Sequence, residues 1–169
     1  AKNVSMGGGE WKVIEDYGRT LSSMKVFPTT LEAKKPGVDS PYLEYRFTSK
    51  TDDEVTVYVY LAPTNNLTAN TGMKYAISVD SGKPVIVETF DKNTPVGYGK
   101  VWEEGVMLNC RISKTKHKLD KEKVHTLRIY MVDAGFVLQK IVIDSGSNVL
   151  ESFLGPEESF MVSGTVNKL

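Results

Sequence analysis

The stretch "EVTVYVYLAP", residues 54–63, decides the fold. Val55, Val57 and Val59 fall on one side of an extended chain and Thr56, Tyr58 and Tyr60 on the other, because successive side chains of a strand point to opposite faces. "VHTLRIYMV", residues 124–132, has the same period, with His125, Leu127, Ile129 and Met131 opposite Thr126, Arg128 and Tyr130. Working outward, alternating or β-branched runs bounded by Gly, Pro, Asn, Asp or Ser predict further strands at 11–16, 21–28, 42–49, 73–80, 84–90, 106–113 and 136–144. That makes about nine strands. "VDSGKP" and "VDAGF" read as hairpin turns through Ser81–Gly82 and Ala134–Gly135, so neighbouring strands are antiparallel. One sheet cannot cover both faces of such strands, and two sheets packed face to face are the economical solution. The expected fold is all-β, a two-sheet antiparallel β-sandwich of jelly-roll type over residues 1–169. The longest connections are 31–41 and 91–105, and the second accommodates one short helical turn around Trp102.

The chain has 169 residues, enough for one domain that buries about two-thirds of the surface its unfolded form exposes. Twenty-one basic residues balance 21 acidic ones, which gives nucleic acid no electrostatic foothold. No run of 18 apolar residues occurs, so no membrane-spanning helix is expected. The lone Cys110, in the predicted strand "VMLNCRI", excludes an intramolecular disulfide and reads as a buried, inert thiol. A start at Ala1 suggests a piece of something longer.

Chemistry-bearing motifs are sparse. "GGG" at 7–9 follows no strand and precedes no Lys-Ser/Thr pair, so it is no phosphate loop. His117, in "KTKHK", reads as a solvated loop residue, and His125 as a hydrogen-bonded core or rim histidine. Asp80, Asp133 and Asp144 each end a predicted strand, where Asp serves turns. Asp133 and Asp144 are eleven residues apart along one strand, about 36 Å at roughly 3.3 Å per residue. A glycosidase acid and base need about 5–9.5 Å, so the two do not form a catalytic pair. Aromatic rings can stack on sugar faces while polar side chains take the hydroxyls. Trp11, Tyr58, Tyr60, Tyr98 and Trp102 are the rings to weigh, with core packing favoured for Trp11 and exposure for Tyr98 between its flanking glycines.

The ordered set "WKVIEDYGRT", "VFPTT", "LEYRF", "VTVYVYLAPT", "GMKYAISVD", "VWEEGVMLN", "HTLRIYMVDAGFVLQKIVID" and "FLGPEES" resembles the C-terminal domain of glycoside hydrolase family 115, the xylan α-glucuronidases. The resemblance covers most of the chain. It implies a galactose-binding, carbohydrate-binding-module-like sandwich appended to a large extracytoplasmic enzyme, periplasmic or secreted. Its catalytic centre would lie in upstream domains, so the chain by itself would not be an enzyme. The partners implied are those domains and xylan-type glycans, through docking, dimer contacts or weak sugar contact; the alternative is an autonomous carbohydrate-binding module. "VWEEGVMLN" maps a family Trp and Asn onto Trp102 and Asn109, which with Tyr98 and Arg111 form the candidate sugar surface. By position Asp144 looks like the closing-strand Asp that holds a structural calcium in related modules. The "EAE"-like opening strand that supplies the other carboxylates is missing from this chain, so the resemblance implies no cofactor beyond an incomplete calcium site.

Overall fold

The structure, a computed structural model, describes residues 1–19, 21–49, 53–68, 71–146 and 155–159. Ten strands and one helix follow in chain order: β1 (Lys2–Val4), β2 (Glu10–Glu15), β3 (Ser22–Phe27), β4 (Tyr42–Thr48), β5 (Glu54–Leu61), β6 (Met73–Val79), β7 (Val85–Phe90), α1 (Lys100–Met107), β8 (Arg111–Lys118), β9 (Val124–Met131) and β10 (Val137–Asp144). They form two five-stranded antiparallel sheets, β1-β4-β9-β6-β7 and β2-β3-β10-β5-β8. The expected sandwich is therefore present. No helix among the described residues is long and apolar enough to cross a membrane.

The core lies between the sheets. From one sheet come Val55, Val57 and Val59 of β5, and from the other Leu127, Ile129 and Met131 of β9 with Met73, Tyr75 and Ile77 of β6. Both alternations read from the sequence thus point inward on their valine and leucine faces. Trp11 closes one end of this core at 1% exposure, its ring edge-on to Phe136 at 5.7 Å and its Nε1–H donating to the Pro41 carbonyl at 3.2 Å.

Five sequence expectations change. "VDAGF" is no hairpin turn: β9 and β10 belong to different sheets, so this segment crosses from one sheet to the other, whereas "VDSGKP" does join the antiparallel pair β6–β7. The chain does open with a short strand, β1, paired with β4; three residues are too few to show a period. Residues 106–110 of the expected strand 106–113 instead finish α1 and its turn, and the strand runs 111–118. His117 consequently sits half-buried in β8 opposite Val55, its Nε2 2.9 Å from Thr115 Oγ1, and not in a solvated loop. In β10 strict alternation would place Leu138 with Val142 and oppose them to Ile141 and Ile143. Pairing with β5 skips a residue between Leu138 and Lys140, a β-bulge at Gln139. The bulge resets the faces, so Leu138, Ile141 and Ile143 all meet the main core. Val142 then packs outside it with Tyr60 and Cys110.

Candidate functional site

Three connections converge at one end of the sandwich: β3–β4, β5–β6 and the β9–β10 turn that crosses between the sheets. They enclose a cleft of about 360 Å³ lined by Thr29, Thr30, Glu32, Thr68, Thr71 and Asp133, with Leu31, Ala33, Leu67 and Ala134 as the apolar part. That volume falls within the range of small-molecule sites. Backbone hydrogen bonds hold the walls together: Lys34 N–H donates to Val132 O at 2.8 Å, and Thr71 and Gly72 N–H donate to Thr68 O at 2.9 and 3.2 Å. Gly135 is needed where the β9–β10 turn meets the β5–β6 loop, because a Cβ there would stand 3.0 Å from Met73 Cε and 3.1 Å from Leu67 Cδ1.

Asp133 forms the buried part of the lining. Its Oδ2 accepts the Lys74 N–H at 2.7 Å, while its own N–H donates to Lys74 O at 2.9 Å. Burial pushes its carboxyl above the ordinary range, against the opposing pull of the Lys74 N–H and ammonium. Asp133 stands at the turn as read, but its carboxylate bonds the Lys74 N–H of β6 and no backbone group of that turn, and the residue also lines the cleft. Asp133 and Asp144 stand before and at the end of β10, so no paired acid and base arises.

Of the residues chosen from sequence, Tyr98 is 65% exposed in the loop before α1, and Trp102 is half-buried on α1. No ring contact joins them among the described residues. Asn109 has φ 49° and ends the helix: its N–H donates to Val106 O at 3.1 Å and the Cys110 N–H to Gly105 O at 3.1 Å. These two bonds form the paired closure of a helix C-terminus, and Asn is the best non-glycine residue for the left-handed position it needs. Arg111 clamps α1 to β7. Its Nη1 donates to Val101 O at 2.8 Å, its Nη2 donates to Thr89 O, and its guanidinium lies 4.2 Å from the Phe90 ring centroid. Gly105 makes room, since a Cβ there would stand 3.2 Å from Arg111 Cγ. Burial lowers the Arg111 pKa, partly offset by Glu104. Replacing Arg111 by Ala should destabilise the domain by about 2 kcal/mol, a fall of about 4–8 °C in Tm. A calorimetric scan checks it, and an unchanged Tm would remove the clamp.

Asp144 faces Thr56 across the β10–β5 pair, and its Oδ1 accepts the Gly146 N–H at 2.9 Å. Calcium takes six to eight oxygens. The opening strand supplies Lys2, Asn3 and Val4, without a carboxylate, and belongs to the other sheet. No group of three or more His, Cys, Asp or Glu suited to a metal occurs among the described residues. These residues do not fit the ion.

The sequence reading passed over the cleft threonines. A signal existed, because "PTTLEA" and "NLTANTG" are threonine-rich loops at strand ends. Linear sequence does not reveal that two such loops and the β9–β10 crossing share one end of the sandwich.

The sequence matches, over residues 1–158, the family described as the glycosyl hydrolase family 115 C-terminal domain. Among solved structures it is similar to a family GH115 4-O-methyl-α-glucuronidase with specificity for decorated arabinogalactans, at 20% identity and TM-score 0.61, over 79% of this chain and 16% of that one. It is also similar to a family 35 carbohydrate binding module from Clostridium thermocellum, at 14% identity and TM-score 0.54, over 85% and 92% of the two chains. A β-(1,4)-mannanase of Podospora anserina that carries such a module is similar at 11% identity and TM-score 0.50, over 83% of this chain and 25% of that one. No curated protein matches. At these identities the likeness carries the sandwich fold, and the family match carries membership: the chain belongs to the C-terminal domains of glycosyl hydrolase family 115.

Proposed function

We propose that this domain is a non-catalytic accessory module of a glucuronidase-like glycoside hydrolase, acting outside the cytoplasm beside the catalytic domains of its parent and making weak contact with a plant glycan. The observation that carries the sugar contact is the threonine-lined cleft. Hydroxyl-bearing side chains and two carboxylates offer partners for sugar hydroxyls, and Leu31, Leu67 and Ala134 offer apolar surface for a ring face. On this reading the catalytic residues belong to the other domains of the parent, and the domain alone hydrolyses nothing.

Without an aromatic ring in the lining the affinity should be weak, with Kd on the order of a millimolar. Titration with xylan and arabinogalactan oligosaccharides, followed by NMR, should shift the methyl signals of Leu31, Leu67 and Ala134. Thr71 is exposed, so Thr71→Trp should fill the cleft without unfolding the domain and weaken binding at least about tenfold. Tyr98→Ala should leave it unchanged. The reverse result would move the contact to Tyr98 and Trp102, which the exposure of Tyr98 supports as the second reading.

A further inference from the structure

We infer that the cleft selects by charge: it admits neutral pyranose units and turns away uronates, so this domain would hold the uncharged part of a decorated glycan. The inference rests on the cleft being the sugar contact. Its physical basis is the sign of the lining. Glu32 and Asp133 are both among the residues of the walls, and no Lys, Arg or His is among the described residues that line it.

Two lysines close in sequence to these walls, Lys34 and Lys74, have carboxylate partners of their own. Lys34, whose N–H anchors the β3–β4 loop to Val132, directs its Nζ to Asp39 at 4.0 Å. Lys74, whose N–H holds Asp133, directs its Nζ to Glu88 at 3.3 Å. A neutral ring can donate its hydroxyls to Glu32 and Asp133, since an ionised carboxylate accepts at both oxygens. A uronate placed there adds a third negative charge, and no cationic side chain stands among the described lining residues to receive it. Like charges a few ångströms apart repel, more strongly in a partly enclosed cleft than in water. Recognition of a uronate ordinarily calls for a charge-assisted donor such as Arg, and the lining supplies none.

Two matched ligand pairs isolate the charge: methyl β-D-glucopyranoside against methyl β-D-glucuronide, and methyl β-D-galactopyranoside against methyl β-D-galacturonide. Within each pair the ligands differ only in the oxidation state of C6. Shifts of the Leu31, Leu67 and Ala134 methyl signals at pH 7.5 and low salt give the affinities. For at least one pair the neutral sugar should bind about tenfold more tightly than its uronate, and the gap should narrow in 0.5 M NaCl as screening shortens the reach of the charges. Glu32 is an exposed loop residue, so Glu32→Gln should fold normally and reduce the gap to about threefold. A uronate that binds as well as its neutral partner overturns the charge selection and leaves the cleft as the sugar site. If neither member of either pair moves the cleft signals, while the oligosaccharides of the previous section do, selection at the level of a single ring is overturned. If nothing moves them, the cleft reading fails with it.

Discussion

Trp11→Ala should cost the domain about 3–5 kcal/mol, the largest loss expected from any single truncation discussed above. The indole is closed off from solvent, edge-on to Phe136, and it ties β2 to Pro41 at the end of the loop that walls the cleft. Truncation removes transfer energy and packing, and leaves a cavity that two stiff sheets cannot collapse to fill. For a domain of this size the loss corresponds to a fall in Tm of about 10 °C or more. Trp11→Phe keeps most of the burial and surrenders the hydrogen bond to Pro41, worth about 1 kcal/mol. Circular dichroism melts of the two variants check this. An alanine variant melting within about 3 °C of the parent would show that Trp11 is not a keystone of this core.

The second large effect belongs to His125, the buried first member of the inward face of β9. Its Nδ1 lies 2.8 Å from Asp80 Oδ2 and its Nε2 2.8 Å from the Asp120 carbonyl oxygen. Both neighbours are acceptors, which suits an imidazolium with two N–H donors and leaves one nitrogen of a neutral ring facing an oxygen. Burial acts to lower the His125 pKa, but the hydrogen bonds to Asp80 and Asp120 and the negative charges there outweigh it, and the net shift is upward. The folded form therefore binds the proton more tightly than the unfolded chain, whose ordinary value is 6.5. The stabilisation is fully present below pH 6.5 and is lost as pH rises through the folded value. Because Asp80 is partly solvated, the pH-dependent part should amount to about 1 kcal/mol.

His125→Ala at pH 6 should cost about 2–3 kcal/mol, since it also loses the contact with Phe47 and leaves the Asp120 carbonyl without its donor. Asp80→Asn is the sharper probe. Asn tolerates the left-handed conformation at position 80, φ 53°, and its amide can donate to the Nδ1 of a neutral imidazole that keeps its Nε2–H on Asp120. The variant should lose the decline of stability above pH 6.5 that the parent shows. His117 has the opposite sign: burial lowers its pKa, so its contribution is present above pH 6.5 and lost in acid as pH falls through the folded value. Denaturant unfolding at intervals from pH 5 to 9 separates the two. A parent curve with the same slope above pH 6.5 as Asp80→Asn would refute the doubly donating imidazolium.

The sandwich and the positions of most strands were legible where side chains alternate without interruption. The inward faces of β5 and β9 could be read directly, because a strand exposes its burial pattern at a period of two. The edge strand β8 was displaced by five residues in the sequence reading: "VMLN" is as apolar as a strand, and only its backbone bonds show that Asn109 closes a helix. The charged run that follows is a strand with one solvated face, and exposed lysines on an edge strand are a common guard against unwanted pairing.

The candidate site divides along similar lines. Tyr98 was readable as exposed from its two flanking glycines, a local signal. Arg111 resembled a sugar-binding group, yet its guanidinium reaches Val101, Thr89 and Phe90, contacts made by bringing α1 against β7. Neither the cleft nor its negative sign could be read from a linear chain, since Thr30, Thr68 and Asp133 come from three connections far apart in sequence.

By itself, then, the sequence determined what depends on neighbours along the chain: the strands with their inward faces, the β6–β7 hairpin turn, and the ordered motifs of the C-terminal domains of family 115. Tertiary structure alone decided the bulge that turns Ile141 and Ile143 inward, the imidazole held between Asp80 and Asp120, and the cleft whose described lining has two acidic residues and no basic one. Each of these depends on groups brought close by sheet pairing and packing, and such closeness leaves no periodic trace in the order of residues.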